Sequence, residues 1–333
     1  MKDKRCLVLL ASFNGEKYIQ QQLDSILNQT HEQLNLIIRD DGSSDTTAEI
    51  LKQYAKDDER IIILQNDTGK HGAYRNFWTL IHYARENCSN YDYYFFSDQD
   101  DIWEHNKLEL MIKTAEKYQS DKPLLLYGDM QVIDRNNRIT YDSLHQVMGI
   151  GDMRGYSLFF THGFLWGCDI CVNRTLFNTV PLVPLDHPHI DVISHDNYFG
   201  KYALIMGNAL YIDRVLVNHR RHSENTTGGY AMKLNPTKVV KKVFPRLDDL
   251  AKTHARVYYQ TLVFIEQYEK QTGNMPPTLQ KVKNAINTGG QIMVRTMREL
   301  EVRRKQPSRT IGIYYIALTK SYKKYLYEGK TCV

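Results

Sequence analysis

The stretch CLVLLASFNGEKYIQQQLDSILNQTHEQLNLIIRDDGSSD (residues 6–45) decides the architecture. Cys6 to Ala11 is apolar throughout and far too short for a helix, which is the mark of a strand buried on both faces. After it, Ile19, Leu23, Ile26 and Leu27 fall at i, i+4, i+7 and i+8, one stripe of an amphipathic helix. Leu34 to Ile38 is a second apolar run, and it ends in the acidic turn Asp40-Asp41-Gly42-Ser43-Ser44-Asp45. Working outward, Asp45 to Tyr54 reads as a helix opened by Ser43 and Ser44 as caps. Ile61 to Leu64 is a third strand, Asn76 to Arg85 a helix, and Tyr93 to Phe96 a fourth strand. Apolar strands alternating with helices predict an α/β fold, a parallel sheet covered on both faces. In such sheets ligands collect beyond the carboxyl ends of the strands.

From Leu124 to Val217 the pattern breaks into shorter pieces: strands at Leu124 to Tyr127, Gln131 to Ile133 and Leu210 to Ile212, and a helix from Ser194 to Tyr202. From Pro236 onward the reading is helical, with Pro276-Pro277 and Pro307 as breaks. Charge divides the chain in the same place. The 333 residues carry a net +5, yet residues 231–333 hold 20 Lys+Arg against 7 Asp+Glu. Two units are expected, 1–230 as an α/β domain and 231–333 as a basic all-α appendage, meeting near Gly228-Gly229.

A hydrophobic fraction of 42% with 24% charged residues excludes a disordered or low-complexity chain. The longest apolar runs, Leu7 to Ala11 and Ile313 to Leu318, fall well short of the roughly 18 residues of a membrane span. Lys2, Lys4 and Arg5 before Cys6 imitate a leader peptide, but no small-residue cleavage site follows, and the run reads as a first strand. Five scattered cysteines point to a reducing, cytoplasmic setting and not to a disulfide framework.

Three acidic clusters carry the chemistry: Asp40 to Asp45, Asp98-Gln99-Asp100-Asp101, and His195-Asp196 at a helix start. Three carboxylates within four residues repel one another and are relieved by a cation. An all-oxygen set suits Mg²⁺ or Mn²⁺ completed by substrate phosphates. There is no G-x-x-x-x-G-K-[ST], and no G-x-G-x-x-G follows the first strand, which excludes a P-loop and disfavours a dinucleotide enzyme. A diphosphate would then fall to the metal and to Arg220, Arg221 and His222, and Gly228-Gly229 could hinge a lid.

Together, LVLLASFNGEKYI (7–19), IIRDDGSSDTT (37–47) and FSDQDDIW (96–103) resemble glycosyltransferase family 2, whose fold is GT-A. GCDICVNR (167–174), SHDNYF (194–199) and NHRRHSENTTG (218–228) are similar to its rhamnosyltransferase-like branch, which includes streptococcal polysaccharide and adhesin glycan transferases. The resemblance implies that Ser12, Phe13, Asn14 and Glu16 line a nucleoside pocket, that Asp41 contacts base or ribose, and that Asn76 lies nearby. It implies that Asp98 faces ribose or donor sugar, Asp100 binds the metal, and Asp101 points to donor sugar or acceptor. Asp196 takes the position of the catalytic base. Arg220 and Arg221 grip the diphosphate, and His222 is a further metal ligand. Asp169 and Asn197 stand where the branch often has threonine and an aromatic, so the donor is not copied from it.

The expected activity is metal-dependent, inverting transfer from a nucleotide-diphosphate sugar to a glycan or glycoprotein acceptor. UDP-N-acetylglucosamine or a UDP-hexose is the first donor and dTDP-rhamnose the second. Alternatives are a nucleotidyltransferase, disfavoured because no glycine-rich loop follows the first strand, and a non-catalytic transferase-like assembly protein. Cys168-x-x-Cys171 has no second pair and reads as packing, not zinc. The basic tail carries no nucleic-acid motif. Its apolar stripes need burial, for which self-association of the helices is the leading expectation and a peripheral contact with the inner membrane face another.

Overall fold

The computed structural model describes residues 3–118, 121–150, 155–161, 165–222 and 243–326. Among these residues, nine strands form one sheet: β1 (Cys6–Ser12), β2 (Leu34–Asp40), β3 (Ile61–Gln65), β4 (Tyr93–Ser97), β5 (Ile102–Trp103), β6 (Leu124–Ile133), β7 (Ile139–Tyr141), β8 (Ile170–Asn173) and β9 (Asn208–Arg220). The order is β3-β2-β1-β4-β8-β6-β9-β5, with β7 beside β6. Around it lie α1 (Ile19–Leu27), α2 (Thr47–Asp57), α3 (Ala73–Asn87), α4 (Lys107–Tyr118), α5 (Leu144–Met148), α6 (Ser157–Phe160), α7 (Arg174–Thr179) and α8 (His195–Met206). The C-terminal helices are α9 (Val243–Thr272), α10 (Pro277–Thr288), α11 (Gly290–Glu299) and α12 (Pro307–Thr319). Among the described residues, no helix is long and apolar enough to cross a membrane.

Strand alternation builds two cores. Leu7 and Leu9 of β1 join the apolar cluster on one face, while Cys6, Val8 and Leu10 join the cluster on the other. The first four strands run parallel as the sequence predicts, with Ser12 opposite Asp40 and Leu10 opposite Ser97. The sheet as a whole is mixed. β8 runs antiparallel to both β4 and β6, and β5 antiparallel to β9. Ile170 to Val172 are buried as completely as a parallel strand's residues, so the apolar run signals burial and not direction.

Two expected strands, Leu124 to Tyr127 and Gln131 to Ile133, are one strand, β6, whose register shifts on either side of Asp129. Gly128 and Asp129 mark the irregularity that the sequence shows as a gap. The predicted boundary at Gly228-Gly229, and the proposed lid with it, lies outside the described residues. The helical segment shares a core with the sheet. Ala255, Tyr258 and Phe264 of α9 belong to the same buried cluster as Trp78, Phe159 and Tyr198. The apolar stripes of α9–α11 are thus covered largely within the chain.

Candidate active site

The loops after β1, β2 and β4 meet at the carboxyl edge of the sheet, and hydrogen bonds lock them together. Asn14, in the left-handed region at φ 49°, donates its N–H to Ser43 Oγ at 2.8 Å and accepts from the Ser44 N–H at 2.8 Å. Glu16 accepts from the Thr46 N–H and hydroxyl at 3.1 and 2.8 Å. Gln99, between the two aspartates, clamps the first loop from both sides. Its Oε1 accepts from the Phe13 N–H at 2.6 Å and from the Ser12 hydroxyl at 3.1 Å, and its Nε2 donates to the Phe13 carbonyl at 2.7 Å. Gly15 faces this clamp so closely that a Cβ would lie 2.6 Å from Gln99 Oε1. Phe13 stays 49% exposed, with the His71 ring 6.4 Å away, so one open aromatic stands at the mouth.

The acidic loop and the end of β9 come together across 122 residues of sequence: His222 Nε2 lies 2.8 Å from Asp100 Oδ2. The His222 ring also packs 5.1 Å from that of Tyr18. A carboxylate and an imidazole presented side by side are both groups that can ligate a divalent metal ion. Asp98 feels the crowding. Burial, then the charges of Asp101, Asp100 and Asp196, push its pKa up to about 8. That mutual influence places Asp196, half-buried in the first turn of α8, in the same electrostatic neighbourhood as Asp98. The Asp196 carboxylate accepts from the Asn197 N–H at 2.5 Å and from its side-chain amide at 2.8 Å.

Four expected ligand contacts turn inward instead. Asp101 is wholly buried. Its Oδ1 meets His219 Nδ1 at 2.9 Å and accepts from the Arg220 N–H at 3.0 Å, so it braces the site and does not point to a sugar. Arg220, also wholly buried, donates to the Asp100 carbonyl and to Gln21 Oε1, both at 2.8 Å, with Tyr18 under its guanidinium at 4.5 Å. Its guanidinium ties the Asp100 loop to α1 through Gln21. Asp41 is 3% exposed, accepting from Arg39 Nη1 and the Gly72 N–H at 2.8 Å and from Asn66 at 3.0 Å. Asn76 accepts from Arg39 at 3.0 Å and donates to the carbonyls of Ser12 and Arg39. These four buried side chains form the frame that holds the loops in place. Arg221, by contrast, is half-exposed beside His222.

A buried group of possible metal ligands, Asp101, Cys168 and His219, has its ligand atoms within 4.8 Å of one another. All three side chains are interior, out of reach of a phosphate, so this group does not fit a cation that bridges a diphosphate. His219 and Gln99 stood inside the quoted motifs, yet nothing in their spacing marked them as bracing residues. α9 adds a component the sequence did not reveal. Arg256 lies 5.2 Å from the ring of Tyr74, whose hydroxyl feels the charges of both Asp196 and Asp98.

Residues 7–180 match the family model described as glycosyl transferase family 2. The dTDP-rhamnosyl transferase RfbG of Shigella flexneri is 27% identical over 232 residues, 66% of this chain and 73% of that protein. The UDP-Glc:alpha-D-GlcNAc-diphosphoundecaprenol beta-1,3-glucosyltransferase WfgD of Escherichia coli is 32% identical over 161 residues, 45% of this chain and 59% of that protein. In fold, the chain is similar to S. aureus TarS 1–349 in complex with UDP, with a TM-score of 0.52 and 14% identity over 97% of this chain and 89% of that one. The sheet with its flanking helices is a GT-A fold, and the chain belongs to glycosyl transferase family 2.

Proposed function

We propose that the protein is a metal-dependent, inverting glycosyltransferase acting on a glycan acceptor of a surface polysaccharide precursor or glycoprotein. The observation that carries this reading is the approach of His222 to Asp100, 2.8 Å apart, beside Asp98 and at the edge where the nucleotide loops converge. Asp100 and His222 would hold the divalent cation, Mn²⁺ or Mg²⁺, and when bound it supplies Lewis-acid stabilisation of the charge on the leaving diphosphate. Ser12, Phe13, Asn14 and Glu16 surround the nucleoside, with Asp41 and Asn76 holding their loops in place. Arg221 takes a share of the diphosphate charge, and Asp98 faces the ribose or sugar. Asp196 accepts the proton of the acceptor hydroxyl as its oxygen bonds to the anomeric carbon and the carbon–phosphate-oxygen bond breaks on the opposite face. One displacement inverts the anomeric centre.

A UDP-sugar is the favoured donor and dTDP-rhamnose the second, a pair of chemistries also found in the names of the two relatives. Such donors are cytoplasmic, and so, in this reading, is the enzyme. The test is nucleoside-diphosphate release from UDP-, dTDP- and GDP-sugars, with and without Mn²⁺, comparing wild type with Asp100→Ala. The expected result is metal-dependent release from a UDP-sugar, reduced by roughly 10²-fold or more in the variant. Turnover of dTDP-rhamnose alone would reverse the donor order. Nucleotide binding without release, even with glycan acceptors present, would mean a binding protein that has kept the fold.

A further inference from the structure

We propose that the outer face of α12 is a docking surface for an anionic lipid bilayer. The helix is apolar on two sides. Ile313, Ile316 and Ala317 face the core and are buried. Ile311, Tyr315 and Leu318, at i, i+4 and i+7, form a second stripe that is 69%, 46% and 53% exposed. A surface helix facing only water carries polar residues on that side, so a helix apolar on both has a second apolar environment to meet. The stripe lines an open groove of about 710 Å³ whose charged rim is Arg298, Arg303 and a single acid, Glu301. Exposed Arg295, Lys305 and Lys320 lie near it in sequence, as does Glu299, which pairs with Lys281, within a segment holding 20 Lys+Arg against 7 Asp+Glu.

Charge selects the occupant. A two-fold contact between copies sets a patch against itself, here a basic rim against the same basic rim. Anionic headgroups neutralise that rim while the acyl boundary receives the aliphatic stripe, and a tyrosine suits the level between them. No described helix spans a bilayer, so the contact is one of lying on the surface. The inference is independent of the proposed chemistry, since none of these residues belongs to the loops around Asp100.

The test is flotation of the full chain with phosphatidylcholine vesicles containing about one third phosphatidylglycerol, against phosphatidylcholine alone. The chain should float with the anionic vesicles only, and high salt should release it. Ile311→Glu/Leu318→Glu should abolish flotation while melting temperature and nucleoside-diphosphate release from a water-soluble donor stay at wild-type values. Arg298→Gln/Arg303→Gln, a change that leaves the stripe intact, should weaken partitioning by about thirty-fold. Wild-type protein that stays in solution with every vesicle overturns the proposal. So does a lipid-free, concentration-dependent dimer in sedimentation that Ile311→Glu dissociates, because the occupant is then a second copy.

Discussion

His195 is 3% exposed, packed between Phe77 and Phe96 with ring centroids 4.1 and 4.8 Å away. Neither ring nitrogen has a hydrogen-bond partner among the described residues. Burial therefore drives its pKa down to about 4, against a weaker upward pull from Asp196. Unfolded, the same ring titrates near 6.5. The folded value lies below the unfolded one, so the neutral ring's contribution is full above about pH 6.5 and disappears as pH falls towards 4. At its limit the loss is about 3 kcal/mol. Burial likewise pushes His254, beneath α6, down to about 4. The midpoint of urea unfolding should fall as pH is lowered from 7 to 4.5, and it should fall less steeply in His195→Gln, which has no proton to take up. Equal slopes for the two proteins would mean that His195 opens to water before the fold is lost. The same contrast of inward and outward chemistry runs through the neighbouring charges: Asp100 and His222 face the edge of the sheet, while Asp101 and His219, one and three residues away, face each other within it.

At the scale of elements, Gly207 joins α8 to β9 at a point of close approach. A Cβ there would lie 1.7 Å from the Pro123 carbonyl oxygen, which already accepts the Asn208 N–H at 2.9 Å. Backbone cannot yield as a side-chain tip does, so Gly207→Ala should cost about 1–3 kcal/mol or more, as overpacking does. β9 ends at Arg220, so its displacement should also weaken Mn²⁺ binding at Asp100 and His222. Thermal unfolding and a metal titration on one variant check both, and an unchanged melting temperature would show that the junction rearranges freely. The elements legible in the sequence were those with a single strong period. β1 to β4 appeared as apolar runs, α1 as a stripe, and α2 and α3 as helical stretches between the runs. β8 was not read as a strand at all, because its four residues, Ile170–Asn173, are too short a run to show a period. β9 was read as three residues where it has 13, because the exposed Asp213 and Arg214 interrupt its pattern. In the site, the carboxylates and His222 stood out by residue type. The inward turn of Asp101 and Arg220 did not, because each is held by partners far away in sequence, His219 for the one and Gln21 for the other.

At the scale of the molecule, the change of charge near residue 230 suggested two domains, but charge reports on the surface and a domain is defined by its core. α9 lies on α6 and α8 with its aromatic residues interleaved. Phe264 sits 5.9 Å from Phe159 and 5.1 Å from Tyr198, and Tyr258 sits 6.3 Å from Phe160. Polar ties fix the contact, with Thr261 donating to the Phe159 carbonyl at 2.9 Å and Gln260 to the Val192 carbonyl at 2.6 Å. A chain ending at residue 230 would present that whole face to water. Each large side chain uncovered costs about 1.5–3 kcal/mol, and several together consume the 5–15 kcal/mol that hold an ordinary fold. The truncated chain should therefore bind hydrophobic dye and melt without a cooperative transition, while the full chain unfolds in one step by calorimetry. Cooperative melting of the fragment with nucleotide binding retained would instead establish two independent domains. The expected failure has a functional side as well, since α9 also brings Arg256 to within 5.2 Å of the Tyr74 ring, beside Asp98 and Asp196. The helical segment in that case completes both the core and the rim of the active site, and transfer cannot survive its removal.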